Sequence, residues 1–362
     1  MHLSRLRLRD FRNYGRLDLE FTPGFHLFLG DNAQGKTNLL EAIYLLSTLR
    51  SFRGVVSGQM VRLGQKGYFV GGTVVGQGTR DIKIYWSNRE RNLSVDAQPV
   101  RRISDYVGVF RAVVFCSDDL QLVKGPASRR RRFLDLLLAQ TEPGYLALLQ
   151  RYAVSVRSRN ALLKQRVVDE NALESFSHEM ILVGQEIIKR RNQLLPKLEP
   201  ITREAYRLIS GDAERLQLNY QSSVKREFAV ELQQSSARER AMRTTLVGPH
   251  RDELLLSLDD KPASQFASEG QKRSIVIALK MAQAEYLTRC HGMPPVLLID
   301  DIMGELDLHR RSGFLPLLRR VHAAHSQVFM TCTEENWPEE LGQQIHRWRV
   351  KNGQALKVNP AP

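Results

Sequence analysis

The segment GDNAQGKT, residues 30–37, has the residue types and spacing that most directly indicate chemistry. It fits the phosphate-loop pattern G-x-x-x-x-G-K-[ST], with an apolar stretch before it and an amphipathic one after it. Its glycines let the backbone curve around phosphates, and successive amides at a helix start supply positive potential. We therefore predict a nucleoside triphosphate site, with Lys36 on the β- and γ-phosphates and the Thr37 hydroxyl on Mg²⁺. The expected contacts are Gly30, Asp31, Asn32, Ala33, Gln34, Gly35, Lys36, Thr37 and Asn38.

The apolar run PVLLIDD, residues 295–301, ends in two aspartates. A carboxylate at the end of a buried strand is what a phosphate site needs to hold Mg²⁺. We expect Asp300 to bind the metal, directly or through water, and Asp301 to face the γ-phosphate, where a base could polarise the attacking water. On its own Asp-Asp after a strand is often a turn, but the phosphate loop favours the metal site.

The hexapeptide SEGQKR, residues 268–273, precedes a long apolar run with helical spacing. Ser268 could simply cap that helix, or Ser268 and the Gly270 amide could form a second anion site at its start. The order of phosphate loop, Ser-x-Gly-Gln, helix and acid-terminated strand resembles the ABC-type ATPases. That resemblance implies ATP as the ligand, and it implies a homodimer in which Ser268, Gly270 and Gln271 of one subunit close over the γ-phosphate held by the other.

The elements around these motifs predict an α/β protein. The first third alternates apolar and polar residues as strands do, interrupted by the helical segment GKTNLLEAIYLLS. Long helical patterns follow, and strand patterns return near residue 244. We expect an ABC-type P-loop ATPase head formed by residues 1–117 and 244–362 (lobe I), with residues 118–243 inserted as a helical second lobe (lobe II).

The composition of the chain indicates which kinds of partner it could bind. The chain of 362 residues has a formal net charge of +14 and a pI near 9.9, which favours a polyanion partner, although the charge could serve solubility alone. No apolar stretch approaches the roughly 20 residues that span a bilayer, and the N-terminus does not fit a secretory signal. We therefore expect a cytoplasmic protein without a membrane anchor, whose three cysteines are reduced and structural.

Four further segments resemble the RecF family of bacterial recombination and replication-repair proteins, over essentially the whole chain. They are FRNY, SFRG at residues 51–54, FCSDDLQLVKGPASRRRRFLD from Phe115 and GPHRDEL from Gly248. The resemblance implies ATP-dependent homodimerisation, binding to DNA at gaps and single-strand/double-strand junctions, and weak DNA-dependent ATP hydrolysis that drives release. It also implies cooperation with RecR and RecO in loading RecA.

The resemblance also assigns residues. It gives Asp301 the role of catalytic carboxylate, and it makes GELD, residues 304–307 ending in Asp307, the loop that crosses the dimer interface. Two departures from the wider ABC pattern suggest slow hydrolysis. Asp301 stands where transporters have glutamate, and Thr331 stands where many ABC proteins have a histidine at the γ-phosphate.

Arginines suggest where DNA could bind. Arg5, Arg7 and Arg9 alternate along one predicted strand and so share a face, with Arg12 in the turn that follows. A solvated sheet face is the alternative. The run at residues 129–132 could contact DNA, pair with carboxylates or be solvated, and residues 250–252 fit a structural or interface turn better than a metal site.

Three functions are consistent with these features. An ATP-gated DNA clamp accounts for both anion motifs and for the charge. The nucleotide-binding subunit of an ABC transporter is disfavoured by the long helical insert, the charge and the shortened carboxylate. A non-catalytic DNA-binding scaffold with a vestigial nucleotide site is disfavoured because Lys36, Thr37 and Asp300 are intact.

Overall fold

The computed structural model describes residues 1–211, 214–302, 313–315, 318, 326–333 and 345–358. The strands, in chain order, are β1 (His2–Phe11), β2 (Tyr14–Glu20), β3 (Gly24–Leu29), β4 (Gly67–Val75), β5 (Thr79–Ser87), β6 (Arg91–Val95), β7 (Gln98–Pro99), β8 (Ala112–Cys116), β9 (Leu216–Gln221), β10 (Glu253–Leu258), β11 (Lys261–Pro262), β12 (Val296–Asp300), β13 (Gln327–Cys332), β14 (Ile345–Lys351) and β15 (Gln354–Val358). The α-helices are α1 (Lys36–Thr48), α2 (Gln121–Lys124), α3 (Ala127–Thr141), α4 (Tyr145–Leu163), α5 (Glu170–Ser210), α6 (Phe228–Met242), α7 (Ala263–Phe266) and α8 (Glu269–His291).

The chain divides into two units. The first comprises Met1–Leu120, Glu204–Ala213 and Glu269–Pro362, and the second comprises Gln121–Arg203 and Glu214–Ser268. The mixture of sheets and helices confirms the predicted α/β class. Within the part of the chain that the structure describes, no helix is both long and apolar enough to cross a membrane.

An antiparallel sheet in the order β2-β1-β4-β5-β6-β7 forms one layer of the first unit. The residue pattern of β1 shows which face of this sheet packs against the core. Leu6, Leu8 and Phe11 are buried in the core, whereas the arginines between them lie on the opposite face. Because side chains alternate across a strand, Leu6 and Leu8 share the inner face. The register skips Asp10, whose φ is 51°, so Phe11 returns to that face.

A second sheet, in the order β15-β14-β3-β13-β12-β8, is parallel except for the pairing of β14 with β15. Strands β12 and β13 are almost wholly buried, as their unbroken apolar sequences predict. The parallel strands β3, β13, β12 and β8 end at one edge of the sheet, where ligand sites of open α/β sheets form. The residues that follow these strands therefore come together.

The hairpin of β14 and β15 was not predicted from the sequence. Its turn is Asn352-Gly353, with φ of 49° and 71°, which is the left-handed conformation that a two-residue hairpin turn requires. An Asn-Gly pair between two short strands is a strong local signal for this turn. The sequence RWRVKNGQALKV does contain it.

The second unit is more than a helical insert. It combines helices with a three-stranded antiparallel sheet, β11-β10-β9. The unit continues to Ser268, beyond the expected boundary at residue 243, because β10 pairs along its whole length with β9. Residues 204–213 belong to the first unit, so the division also differs from the expected one at this point.

A buried ion pair joins two helices of the second unit. Arg159 on α4 donates to Glu239 on α6 at 2.6 Å, and only 4% and 0% of the two side chains are exposed. Arg159 also donates to the Thr245 hydroxyl, so most of its buried polar atoms have partners. A more exposed pair, Arg240 with Glu170, joins α6 to the start of α5 at the same distance of 2.6 Å.

Replacing Glu239 by alanine should lower the free energy of unfolding of this unit by about 3–5 kcal/mol, because a buried guanidinium would lose its carboxylate. Urea unfolding followed by the circular dichroism of the helices measures the loss. Glu170→Ala is the matched control and should change little, because water and salt screen an exposed pair. Equal losses in the two variants would contradict a structural role for the buried pair.

Candidate nucleotide site

The phosphate loop follows β3 and leads directly into α1. Its two glycines have φ of 153° at Gly30 and 117° at Gly35, which side chains rarely adopt. A Cβ atom on Gly30 would lie 2.3 Å from the Val350 carbonyl oxygen, and one on Gly35 would lie 2.6 Å from the Asn13 amide nitrogen. Both positions therefore require glycine for conformation and for space.

Two hairpin turns hold the loop at Gln34, and we call Asn13, Tyr14, Asn352 and Gly353 the loop clamp. From the turn between β1 and β2, the Asn13 side-chain amide donates to the Gln34 carbonyl at 2.8 Å. From the turn between β14 and β15, the backbone N–H of Asn352 donates to Gln34 Oε1 at 2.8 Å. The Tyr14 hydroxyl and the Gly353 N–H donate to carbonyls of Gly35 and Gln34 at 3.0 Å and 3.3 Å.

The Asp300 carboxylate lies at the carboxyl end of β12 and joins two other predicted site residues. The Thr37 hydroxyl and the Thr331 hydroxyl each donate to Asp300 Oδ1 at 2.9 Å. Thr331 is brought there by the register of β13, in which it lies directly beside Asp300. Burial raises the pKa of Asp300, while the two hydroxyls oppose that shift by stabilising its charged form.

A cavity of about 550 Å³ opens over this carboxylate, within the range of ligand pockets. Its walls are formed by Asn32, Ala33, Gly35, Lys36, Thr37, Asn38, Phe52, Arg53, Cys116, Ser117, Asp118, Asp300, Asp301 and Thr331. The Lys36 ammonium donates to the Asp31 carbonyl at 2.9 Å. The cavity thus combines loop amides, two cations, hydroxyl groups and carboxylates.

Arg53 of SFRG is a cavity residue to which the sequence analysis gave no role. Its guanidinium lies 3.4 Å from Asn38 Oδ1, and its backbone N–H donates to the Ser51 hydroxyl at 3.0 Å. Ser51 in turn donates to Glu41, which is fully buried in α1. The motif was visible in the sequence, but its distance along the chain from residues 30–37 concealed that both line one cavity.

The structure places the other predicted site residues in different surroundings. Asp301 is exposed with a φ of 55° and lines the cavity. Gln34 does not line the cavity and accepts hydrogen bonds from the loop clamp. Gly270 and Gln271 lie in the first turn of α8, and Ser268 lies exposed immediately before it. Asp307 lies outside the described residues.

Three of the four arginines predicted to contact DNA are paired with carboxylates. Arg5 pairs with Asp18 at 2.6 Å, and Arg7 pairs with Asp81. Arg12 makes two hydrogen bonds of 2.7 Å to Glu41, so its charge is taken up inside the protein. The ion pair with Glu41 gives Arg12 a structural role, and contact between Arg12 and DNA stays a prediction.

The GPHRDEL segment is structural within the second unit. The Tyr152 hydroxyl donates to His250 Nδ1 at 2.6 Å, and burial lowers the pKa of His250 to about 4. Asp252 is fully buried and accepts the Tyr220 hydroxyl. Among the described residues no cluster of three or more metal-ligating side chains occurs. In the neighbouring arginine run, Arg130 pairs with Glu253 at 2.7 Å.

The donor set fits a nucleoside triphosphate with Mg²⁺. Loop amides, Lys36 and Arg53 can neutralise phosphate oxygens, and Thr37 with Asp300 offers the hard oxygen ligands that Mg²⁺ prefers. The parallel sheet, the phosphate loop and the acid-terminated strand together define an ABC-type P-loop ATPase head.

Comparisons with known proteins agree with this class. The family model of the "RecF/RecN/SMC N terminal domain" matches residues 2–355. The "DNA replication and repair protein RecF" of Symbiobacterium thermophilum is 39% identical, over 98% of this chain and 97% of that protein. The protein of the same description from Nostoc punctiforme is 39% identical, over 99% and 98%. The chain belongs to the RecF family.

Solved structures are also similar to almost the whole of this chain. A structure described as the recombination mediator protein RecF-ATP in the RecFOR pathway has a TM-score of 0.90, with 30% identity over 99% of this chain and 98% of that one. An Smc head domain from Pyrococcus furiosus, bound to part of ScpA, has a TM-score of 0.58 at 15% identity. The second similarity concerns the fold alone.

Removing the Asn13 side chain should weaken ATP binding by about two- to tenfold, because the phosphate loop loses a hydrogen bond that orients it. Isothermal titration calorimetry with a non-hydrolysable ATP analogue measures the change. Asn88→Ala, an exposed asparagine of the same unit, should bind like the wild type. Unchanged affinity in Asn13→Ala would show that the loop keeps its shape without the clamp.

Asp300→Asn should raise the thermal unfolding temperature of the nucleotide-free protein at neutral pH. The raised pKa of Asp300 means that the folded state keeps a proton over a pH range in which the unfolded chain has lost it. Wild-type stability therefore falls as pH rises from the ordinary carboxyl pKa through the raised one, and the amide avoids this loss.

Scanning calorimetry at several pH values, with a chelator present, tests this expectation. The advantage of Asp300→Asn should shrink on acidification, because the wild-type carboxyl is then protonated. Asp18→Asn should give no such gain, since the hydrogen bond from Arg5 lowers the pKa of Asp18. A variant less stable than the wild type at neutral pH would contradict the sign of the effect.

Proposed function

We propose that this chain is an ATPase whose ATP-bound homodimer binds DNA in replication and repair, and whose slow hydrolysis releases it. The observation that carries this proposal is the Asp300 carboxylate, which accepts hydrogen bonds from Thr37 and Thr331 beside a cavity lined by Lys36 and other residues of the phosphate loop. A vestigial site would not need to keep this arrangement.

In the proposed reaction the residues around the cavity act on the triphosphate and its metal. Lys36 would bind the β- and γ-phosphates, and Thr37 with Asp300 would hold Mg²⁺, whose charge would be available to neutralise phosphate oxygens. Asp301, exposed at the cavity wall, orients and polarises the attacking water. Thr331, whose hydroxyl donates to Asp300, adds no positive charge near the γ-phosphate, and this favours slow turnover.

The second half of each ATP site is supplied by the partner subunit in this proposal. Ser268 is exposed immediately before α8, a helix of 23 residues, and Gly270 and Gln271 lie half-buried in its first turn. The amides of a helix start attract anions, so this segment suits the γ-phosphate of ATP bound by another copy. ATP would then hold the two heads together.

The nucleic-acid partner is supported by charge and by the relatives. A formal net charge of +14 favours a polyanion, and the relatives are described as DNA replication and repair proteins. One solved relative is described as a recombination mediator in the RecFOR pathway, which supports partnership with RecR and RecO. Preference for gapped DNA or junctions, support of RecA loading and a cytoplasmic location are part of the same proposal.

Ser268→Arg separates the proposed dimer mechanism from simple helix capping. Wild type with ATP and Mg²⁺ should dimerise and bind a gapped duplex, as followed by analytical ultracentrifugation and fluorescence anisotropy. Ser268→Arg should lose both properties while still binding ATP, because a bulky cation would occupy the place of the partner's γ-phosphate. Lys36→Arg should instead weaken ATP binding itself.

Ser104→Arg is the matched control, because it adds the same charge at another exposed serine. It should dimerise and bind DNA like the wild type. If Ser268→Arg also behaved like the wild type, the segment would be only a helix start, and the composite ATP site would be withdrawn.

A further inference from the structure

One row of side chains on the outer face of the antiparallel sheet has no part in the ATP chemistry. The strand register pairs Arg9 with Arg16 on β2 and with Phe69 on β4. It then pairs Phe69 with Tyr85 on β5, and Tyr85 with Asn92 on β6. Since neighbouring strands lie about 4.8 Å apart, this outer row runs about 19 Å across five strands.

The basic end of the outer row consists of two arginines that face each other across neighbouring strands. Arg9 and Arg16 are exposed and lie directly opposite each other, where like charges repel. Within the described ranges neither arginine forms a direct ion pair with a carboxylate, and Arg16 interacts with the charge of Asp18 only at longer range. The other two arginines on the same face of β1 differ, because Asp18 pairs with Arg5 and Asp81 pairs with Arg7. An anion bound between Arg9 and Arg16 would relieve the repulsion.

The middle of the outer row is aromatic. Tyr85 is 41% exposed, and Phe69 beside it is half-buried. The Phe69 ring extends over Gly71, where an added Cβ atom would lie 2.8 Å from the ring. Glycine at this position therefore leaves the ring lying along the sheet. Aromatic rings exposed on a sheet surface are suited to stacking with unpaired bases.

We propose that the outer row is a binding platform for single-stranded DNA. Bases stack on Phe69 and Tyr85, and Arg9 and Arg16 bind the phosphates beside them. This inference rests on the proposed function and specifies the form of DNA that this surface takes. A duplex hides the faces of its bases and would use the arginines alone, so the adjoining aromatic pair favours a single strand.

Fluorescence anisotropy with an oligo-dT strand and a blunt duplex of equal length tests the platform. Phe69→Ala and Tyr85→Ala should each weaken oligo-dT binding by about tenfold or more, since base stacking on one aromatic ring contributes on that scale. Binding of the duplex in the presence of ATP should stay unchanged. Tyr85→Phe keeps the ring and should bind oligo-dT like the wild type.

Two further experiments test which side chains contact the DNA. Arg9→Ala should weaken oligo-dT binding and reduce its salt dependence, whereas Arg5→Ala removes a charge already paired with Asp18 and should have little effect. A strand that carries 5-iodouracil should photocrosslink to Tyr85. ATP binding should be the same in all variants, because every substituted side chain lies on the outer face, and each variant should remain folded at the assay temperature.

The outcomes separate this platform from the proposed function. Unchanged oligo-dT affinity in the two alanine variants, or an equal loss for single strand and duplex, would overturn the platform. Wild type that binds duplex with ATP but not oligo-dT would also overturn it and leave the ATP-dependent function standing. Failure to bind either DNA in any nucleotide state would contradict both.

Discussion

The phosphate loop can adopt its shape only because two glycines have no side chain and two hairpin turns hold the residue between them. Gly30 lies against the Val350 carbonyl and Gly35 lies against Asn13, while Gln34 receives hydrogen bonds from both turns. One turn belongs to the antiparallel sheet and the other to the parallel sheet. Both sheets of the first unit therefore determine the geometry of the nucleotide site.

Strand β1 connects the nucleotide site to the surface of the same unit. Its inner residues enter the core, its outer face carries Arg9, and its last residue leads into the turn that contains Arg12 and Asn13. Arg12 binds the buried carboxylate of Glu41 on α1, and Asn13 binds the phosphate loop. A short stretch of sequence thus serves both the outer face of the sheet and the loop, which explains why FRNY is so informative in the sequence.

Local sequence patterns were sufficient to predict the α/β class and the proximity of Thr37 to Asp300. The spacing of residues 30–37 and the acid at the end of PVLLID predicted a shared site, because parallel strands end at one edge of a sheet. The same patterns could not assign partners. Arg12 pairs with Glu41, and Arg53 enters the cavity, through contacts between segments distant in sequence. The roles of Asp301 and Ser268 in hydrolysis stay predictions, and the hairpin at Asn352 was missed although its turn residues signal it.

The proposed mechanism requires each ATP site to be built from two copies of the chain. Mixing Lys36→Ala protein with Ser268→Arg protein, each inactive alone, tests it most directly through the rate of ATP hydrolysis. A mixed dimer contains one site with an intact phosphate loop from one chain and an intact Ser268 segment from the other. Hydrolysis should reappear on mixing and rise with the fraction of mixed dimers. A mixture as inactive as its components would contradict the composite site.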